Sequence, residues 1–132
     1  MSFNTGGAVP FEISEVDHGL KKAEGLLKLW EQGLEFEFEV TDAFVGMYKS
    51  GVKTVRISYG DLESIQFDKG WFGAKIVLEG DSMKVFEEIP GTEVGTCTLK
   101  IKRKDRKDAQ DLISKARMHH SEYKLNQMDE DE

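Results

Sequence analysis

Six cations crowd into eight residues near the end of the chain: Lys100, Lys102, Arg103, Lys104, Arg106 and Lys107. Such a cluster can hold anionic lipid head groups or an acidic protein by direct charge pairing. Asp105 and Asp108 dilute it, and a solvated connection between a strand and a helix would give the same pattern. A second feature is the tetrapeptide Gly70-Trp71-Phe72-Gly73, preceded by Lys69. Two large aromatics beside a turn can enter a membrane interface or anchor a protein contact. Alternatively one ring lies over the open end of a sheet as core. The binding surface is therefore expected among Lys69, Trp71, Phe72, Lys102, Arg103, Lys104 and Arg106.

Catalytic chemistry finds fewer candidates. Neither a Walker pattern nor GxGxxG occurs, and no nucleophile, base and orienting acid stand together. Glu35, Glu37 and Glu39 share one strand face at intervals of about 7 Å. That row suits a hard cation or a basic partner, and equally a solvated face that discourages edge pairing. Cys97 is the one cysteine, so it forms no internal disulfide; it shares its strand face with Leu99 and Ile101 and reads as a buried structural thiol. His18, His119 and His120 lack metal-ligand spacing and are expected at the surface. No enzyme, cofactor or metal site is expected.

Composition narrows the partners. Acidic residues outnumber basic ones by 25 to 18 in 132 residues, a net charge of −7 that disfavours nucleic acid and broad adhesion to anionic membranes. A local basic patch escapes that argument. Residues 1–10 carry no secretory signal, and no apolar run approaches the roughly 20 residues that span a bilayer, so a cytoplasmic location is expected.

These side chains must be positioned by turns and strands, as thirteen glycines against two prolines suggest. Leu34, Phe36, Phe38 and Val40 alternate with Glu35, Glu37 and Glu39, predicting a strand over 33–42 that is wet on one side. Strands are also predicted over 23–30, 52–59, 62–67, 74–78, from Met83 to the Pro90-Gly91 stop, and over 96–102. The Leu20–Trp30 stretch also fits a short helix, with strand favoured. Phe11 to Val16 adds a short strand or packs across an edge. After Lys104 the period changes: Ala109, Leu112, Ile113 and Ala116 fall on one face of a helix, with Asp105 as its N-cap and its end at about His120 or somewhat beyond. The expected domains are a flexible arm over 1–10, one domain over 11–125 with its core at 23–120, and an acidic tail over 126–132. The fold class is mainly β: a seven-stranded bent sheet, or partly open barrel, capped by one C-terminal α-helix.

That order of elements from Ala23 to His120 resembles the pleckstrin-homology-like superfold, and more closely the bacterial PH-like and GRAM-like domains. The residues that carry the likeness are Gly33-Leu34-Glu35-Phe36 opening a strand, Val52 to Leu62, the Gly70-Trp71-Phe72-Gly73 hairpin and the terminal helix. The resemblance implies a module that binds lipids, peptides or proteins without catalysis. Phosphoinositide-binding members carry lysines and arginines around the first hairpin; here Trp30-Glu31-Gln32-Gly33 is followed by three glutamates, so that site is not carried over. The function expected first is recognition of a protein partner, including self-association through a sheet edge or the Trp71/Phe72 hairpin. The alternative is a peripheral membrane adaptor that uses the basic run and Trp71 on anionic lipid.

Overall fold

Apolar side chains at every second position give a strand one dry face, and that rule lays down most of this chain. The computed structural model describes residues 7–16, 18–42 and 51–130. Its strands are β1 (Val9–Val16), β2 (Lys21–Trp30), β3 (Gly33–Asp42), β4 (Lys53–Ser58), β5 (Leu62–Lys69), β6 (Gly73–Gly80) and β7 (Thr96–Lys102). Two 3-10 turns, Tyr59–Asp61 and Arg103–Asp105, lead into β5 and into the helix α1 (Arg106–Glu130). Residues 1–6 of the arm expected over 1–10, Asp17 of the turn expected at Asp17-His18-Gly19, residues 46–50 of the turn expected over 46–51 and the last two residues of the tail lie outside the described residues.

The strands form one antiparallel sheet in the order β4-β3-β2-β1-β7-β6-β5. Two meanders, β1 to β4 and β5 to β7, therefore meet at β1 and β7. Among the described residues they are joined there through one paired position, Glu12 opposite Lys100. The sheet stays unclosed between β4 and β5. The Tyr59 amide donates to the Gln32 carbonyl within the first meander, and the Asp81 amide to the Asp61 carbonyl within the second.

The dry face carries Phe11, Leu27, Leu34, Phe36, Ile57, Ile76, Leu78, Cys97 and Leu99, all buried. Phe11 and Phe36 meet edge to face with ring centroids 6.0 Å apart. Against this face α1 lays Ala109, Leu112, Ile113 and Ala116, the stripe predicted from the sequence, and extends it one turn to His120. Burying two leucine-sized side chains of that stripe contributes about 3–6 kcal/mol, which anchors the helix across both meanders. Both the class and the helix cap agree with expectation.

Several boundaries differ from it. No strand forms at Met83 to Phe86: residues 81–92 run through turns. Phe86 and Ile89, three residues apart, point together into the core because the Ile89 amide bonds back to the Phe86 carbonyl. The Thr92 hydroxyl reaches the carbonyls of both residues and holds that turn. The seventh strand is β1 instead, with Val9, Phe11 and Ile13 alternating inward, and it stands mid-sheet rather than at an edge. It begins at Val9, inside the stretch read as an arm. Leu20–Trp30 resolves as strand, β2. The helix runs ten residues past His120 to Glu130, since nothing between them is glycine or proline. Asp105 sits in the 3-10 turn with one carboxylate oxygen buried and unpartnered, rather than as a hydrogen-bonded N-cap.

Candidate functional site

The β5–β6 hairpin overshoots the sheet by two residues. Lys69 pairs with Ala74, the Gly70 amide donates to the Gly73 carbonyl at 2.7 Å, and Trp71 and Phe72 are left at the tip. They are 78% and 85% exposed, so the alternative in which one ring joins the core does not hold. Gly73 lies opposite Lys102, and a methyl at Gly73 would collide with the Ile101 carbonyl. Glycine is therefore what lets the hairpin root lie flat against the end of β7, where the basic run begins.

The basic run is brought to the same end of the molecule. Lys69, Lys102, Arg103 and Lys104 are exposed, and none of them is ion-paired among the described residues. Arg106, the first residue of α1, is different. Its Nη1 donates to the Gly70 carbonyl at 2.8 Å, fastening the hairpin to the helix. Of the seven residues singled out from the sequence, six thus form an exposed surface and Arg106 positions it. Beside Phe72 a shallow apolar groove is lined by Ala74 and Ile101 and rimmed by Lys69, Lys75 and Lys100, with Asp68 as the one carboxylate among its described lining residues.

Glu35, Glu37 and Glu39 lie across the other meander, where Arg56 pairs with Glu35 at 2.9 Å and Lys28 with Glu37 at 3.6 Å. Arg56 also stands 5.1 Å from the Trp30 ring centre. This is a wet sheet face whose charges are largely answered on the spot. Between the two halves a cleft of about 360 Å³ opens at the β1–β7 seam. Pro10 and Leu26 contribute apolar surface there, Glu12, Glu24, Glu37 and Glu39 stand on one side, and Lys100 and Lys102 on the other. Sequence reasoning missed this cleft, because only the pairing of the first strand with the last creates it. The one local signal is Pro10, which has no amide to donate to a ladder.

The remaining candidates have structural roles. Cys97 is fully buried, and desolvation pushes its thiol up to about 12, far from a nucleophile's range. Contrary to the surface role expected for it, His120 is buried, with Nε2 2.7 Å from the Leu62 carbonyl, and so ties the helix to β5. His119 is exposed, as is His18. Tyr59 lies under both helix histidines, its hydroxyl raised by burial. Among the described residues no group of three histidine, cysteine or acidic side chains is placed to hold a metal ion, and no helix is long and apolar enough to cross a membrane.

No protein-family model, curated protein or solved structure matches this chain.

Proposed function

We propose that this protein is a non-catalytic binding module of pleckstrin-homology-like architecture that docks peripherally on an anionic membrane surface, with the β5–β6 hairpin as its foot. The observation that carries this reading is the meeting of an exposed aromatic pair with an unpaired cationic collar at one end of the fold. The strand order and the single C-terminal helix support the architectural part.

Magnitudes favour it over the net charge of −7. Each cation near an anionic leaflet contributes about 1 kcal/mol, so Lys69, Lys102, Arg103 and Lys104 contribute roughly 4 kcal/mol. Burying the exposed parts of Trp71 and Phe72 adds on the order of 1.5–3 kcal/mol each, before the cost of immobilisation. The glutamate nearest the basic run is Glu12, opposite Lys100 rather than opposite a residue of the collar, whereas Glu39 is three strands from Lys100, about 14 Å, beyond the roughly 8 Å screening length of physiological salt. Such a surface is found on the cytoplasmic leaflet, which agrees with the location expected from the sequence.

A protein partner at the same hairpin is the competing outcome. The test is co-sedimentation with vesicles of phosphatidylcholine alone and with 30% phosphatidylserine, at low and high salt, beside light scattering of the free protein. Binding that needs phosphatidylserine, weakens with salt and is lost in Trp71→Ala supports the membrane reading. Failure of the wild type to sediment with anionic vesicles at low salt overturns it. A defined oligomer that Trp71→Ala dissolves would hand the hairpin to a protein contact instead.

A further inference from the structure

The buried stripe of α1 ends at His120, yet the helix continues for ten residues, and every described side chain from Ser121 to Asp129 is exposed. Polar residues would suffice there. Instead Met118, Leu125 and Met128 stand 53%, 61% and 66% exposed. With Ser121 they are spaced 3, 4 and 3 residues apart, the a/d spacing of a heptad seam. At 100° per residue this seam points about 140° away from the stripe that packs on the sheet, so the fold itself leaves it uncovered.

The flanks say what covers it. The positions bordering the seam are Arg117 and Lys124 on one side, and Glu122 and Asp129 on the other. Beside a second copy of this helix running parallel, Arg117 faces Glu122 of the second copy and Lys124 faces Asp129 of the second copy, each pair occurring twice. An antiparallel copy would set Arg117 against Lys124 and Glu122 against Asp129, four repulsive contacts. Lys124 is available for this role, since its own-chain contact with Glu63 is a long, exposed 3.5 Å.

We infer that the C-terminal half of α1 is a self-association surface on which two copies of this chain pair through parallel helices, with Met118, Leu125 and Met128 in the seam. The paired stretch, residues 117–129, is about 20 Å long and short for a stable interface, so the dimer is weak. This pairing does not depend on what the hairpin binds.

Sedimentation equilibrium of the full chain from 10 µM to 1 mM tests it. The weight-average mass should climb toward twice that of the monomer, and Leu125→Glu should hold it at one chain with an unchanged circular dichroism spectrum. Arg117→Glu distinguishes the registers: it loosens a parallel pair at least threefold and tightens an antiparallel one. Leu125→Cys should oxidise to a covalent dimer in the parallel pair, where the two positions meet across the axis. A wild type that stays monomeric at 1 mM, a Leu125→Glu variant that still dimerises, or tightening by Arg117→Glu each overturns the inference.

Discussion

The outer face of the sheet is one surface with two halves that treat charge differently. Across it runs a single row of paired positions, Glu39, Glu24, Glu12, Lys100, Lys75 and Asp68, one from each of six strands. On the β1–β3 side like charges lie opposite one another, which is unfavourable unless cations intervene. They do: Lys22 binds Glu24 at 2.6 Å, and its ammonium is held above its usual range by Glu24 and, less strongly, by Glu12. Lys28 and Arg56 do the same for Glu37 and Glu35. On the β6–β7 side Lys75, Lys100 and Lys102 have no such partners among the described residues, and the exposed aromatics stand next to them. Charge that is answered within the fold belongs to its upkeep. Charge left open beside exposed rings is what a ligand can use.

The sharpest way to break this contrast is to reverse the open charges. Lys102→Glu/Arg103→Glu/Lys104→Glu changes six charges, at about 1 kcal/mol each, and should take binding to anionic vesicles below detection in co-sedimentation. The same number of reversals at Lys22, Lys28 and Arg56 should leave vesicle binding in place; equal losses from both triples would erase the distinction. Next comes Trp71→Ala/Phe72→Ala, expected to cost about 3–6 kcal/mol of surface affinity in a vesicle titration with no change in Tm, because neither ring supports the core. Arg106→Ala should cost less, about 1 kcal/mol of affinity, by freeing the hairpin from the helix. A binding loss there equal to the aromatic double variant would mean Arg106 touches the ligand itself. The smallest effect is at Arg56→Ala, which gives up its pairing with Glu35 and its place beside Trp30. It should lower stability by roughly 0.5–1 kcal/mol in urea unfolding and leave vesicle binding unchanged.

How much of this was readable in advance depends on whether local period decides the outcome. The alternation of Leu34, Phe36 and Phe38 and the helical spacing of Ala109, Leu112, Ile113 and Ala116 are local facts, and both elements formed as read. Met83 to Ile89 has the apolar density of a strand, but Phe86 and Ile89 reach the core from a turn, which density alone does not reveal. The exposure of Trp71 and Phe72 follows from the Lys69–Ala74 pairing, a matter of register rather than residue type. At the site, the exposure of Lys69, Lys102, Arg103 and Lys104 was legible from their types, while that of Trp71 and Phe72 was not. The role of Arg106 as a clamp, the cleft at the seam and the burial of His120 all rest on contacts between distant parts of the chain.

The central place of β1 has a consequence for how the molecule is made. During synthesis β1 emerges before the other described strands, yet its neighbour β7 is the last of them to leave the ribosome. The β1–β4 meander can pair as it appears, since each of its strands pairs with the one before it in sequence. Its dry face, with Phe11, Phe36 and Leu27, must then wait for β7 and α1 to arrive and cover it. The Glu12–Lys100 closure spans most of the chain, the kind of non-local step that slows folding and exposes apolar surface meanwhile. A nascent chain stalled before Lys100 should therefore present a half-sheet with an unpaired edge and an open apolar face, a natural client for chaperones.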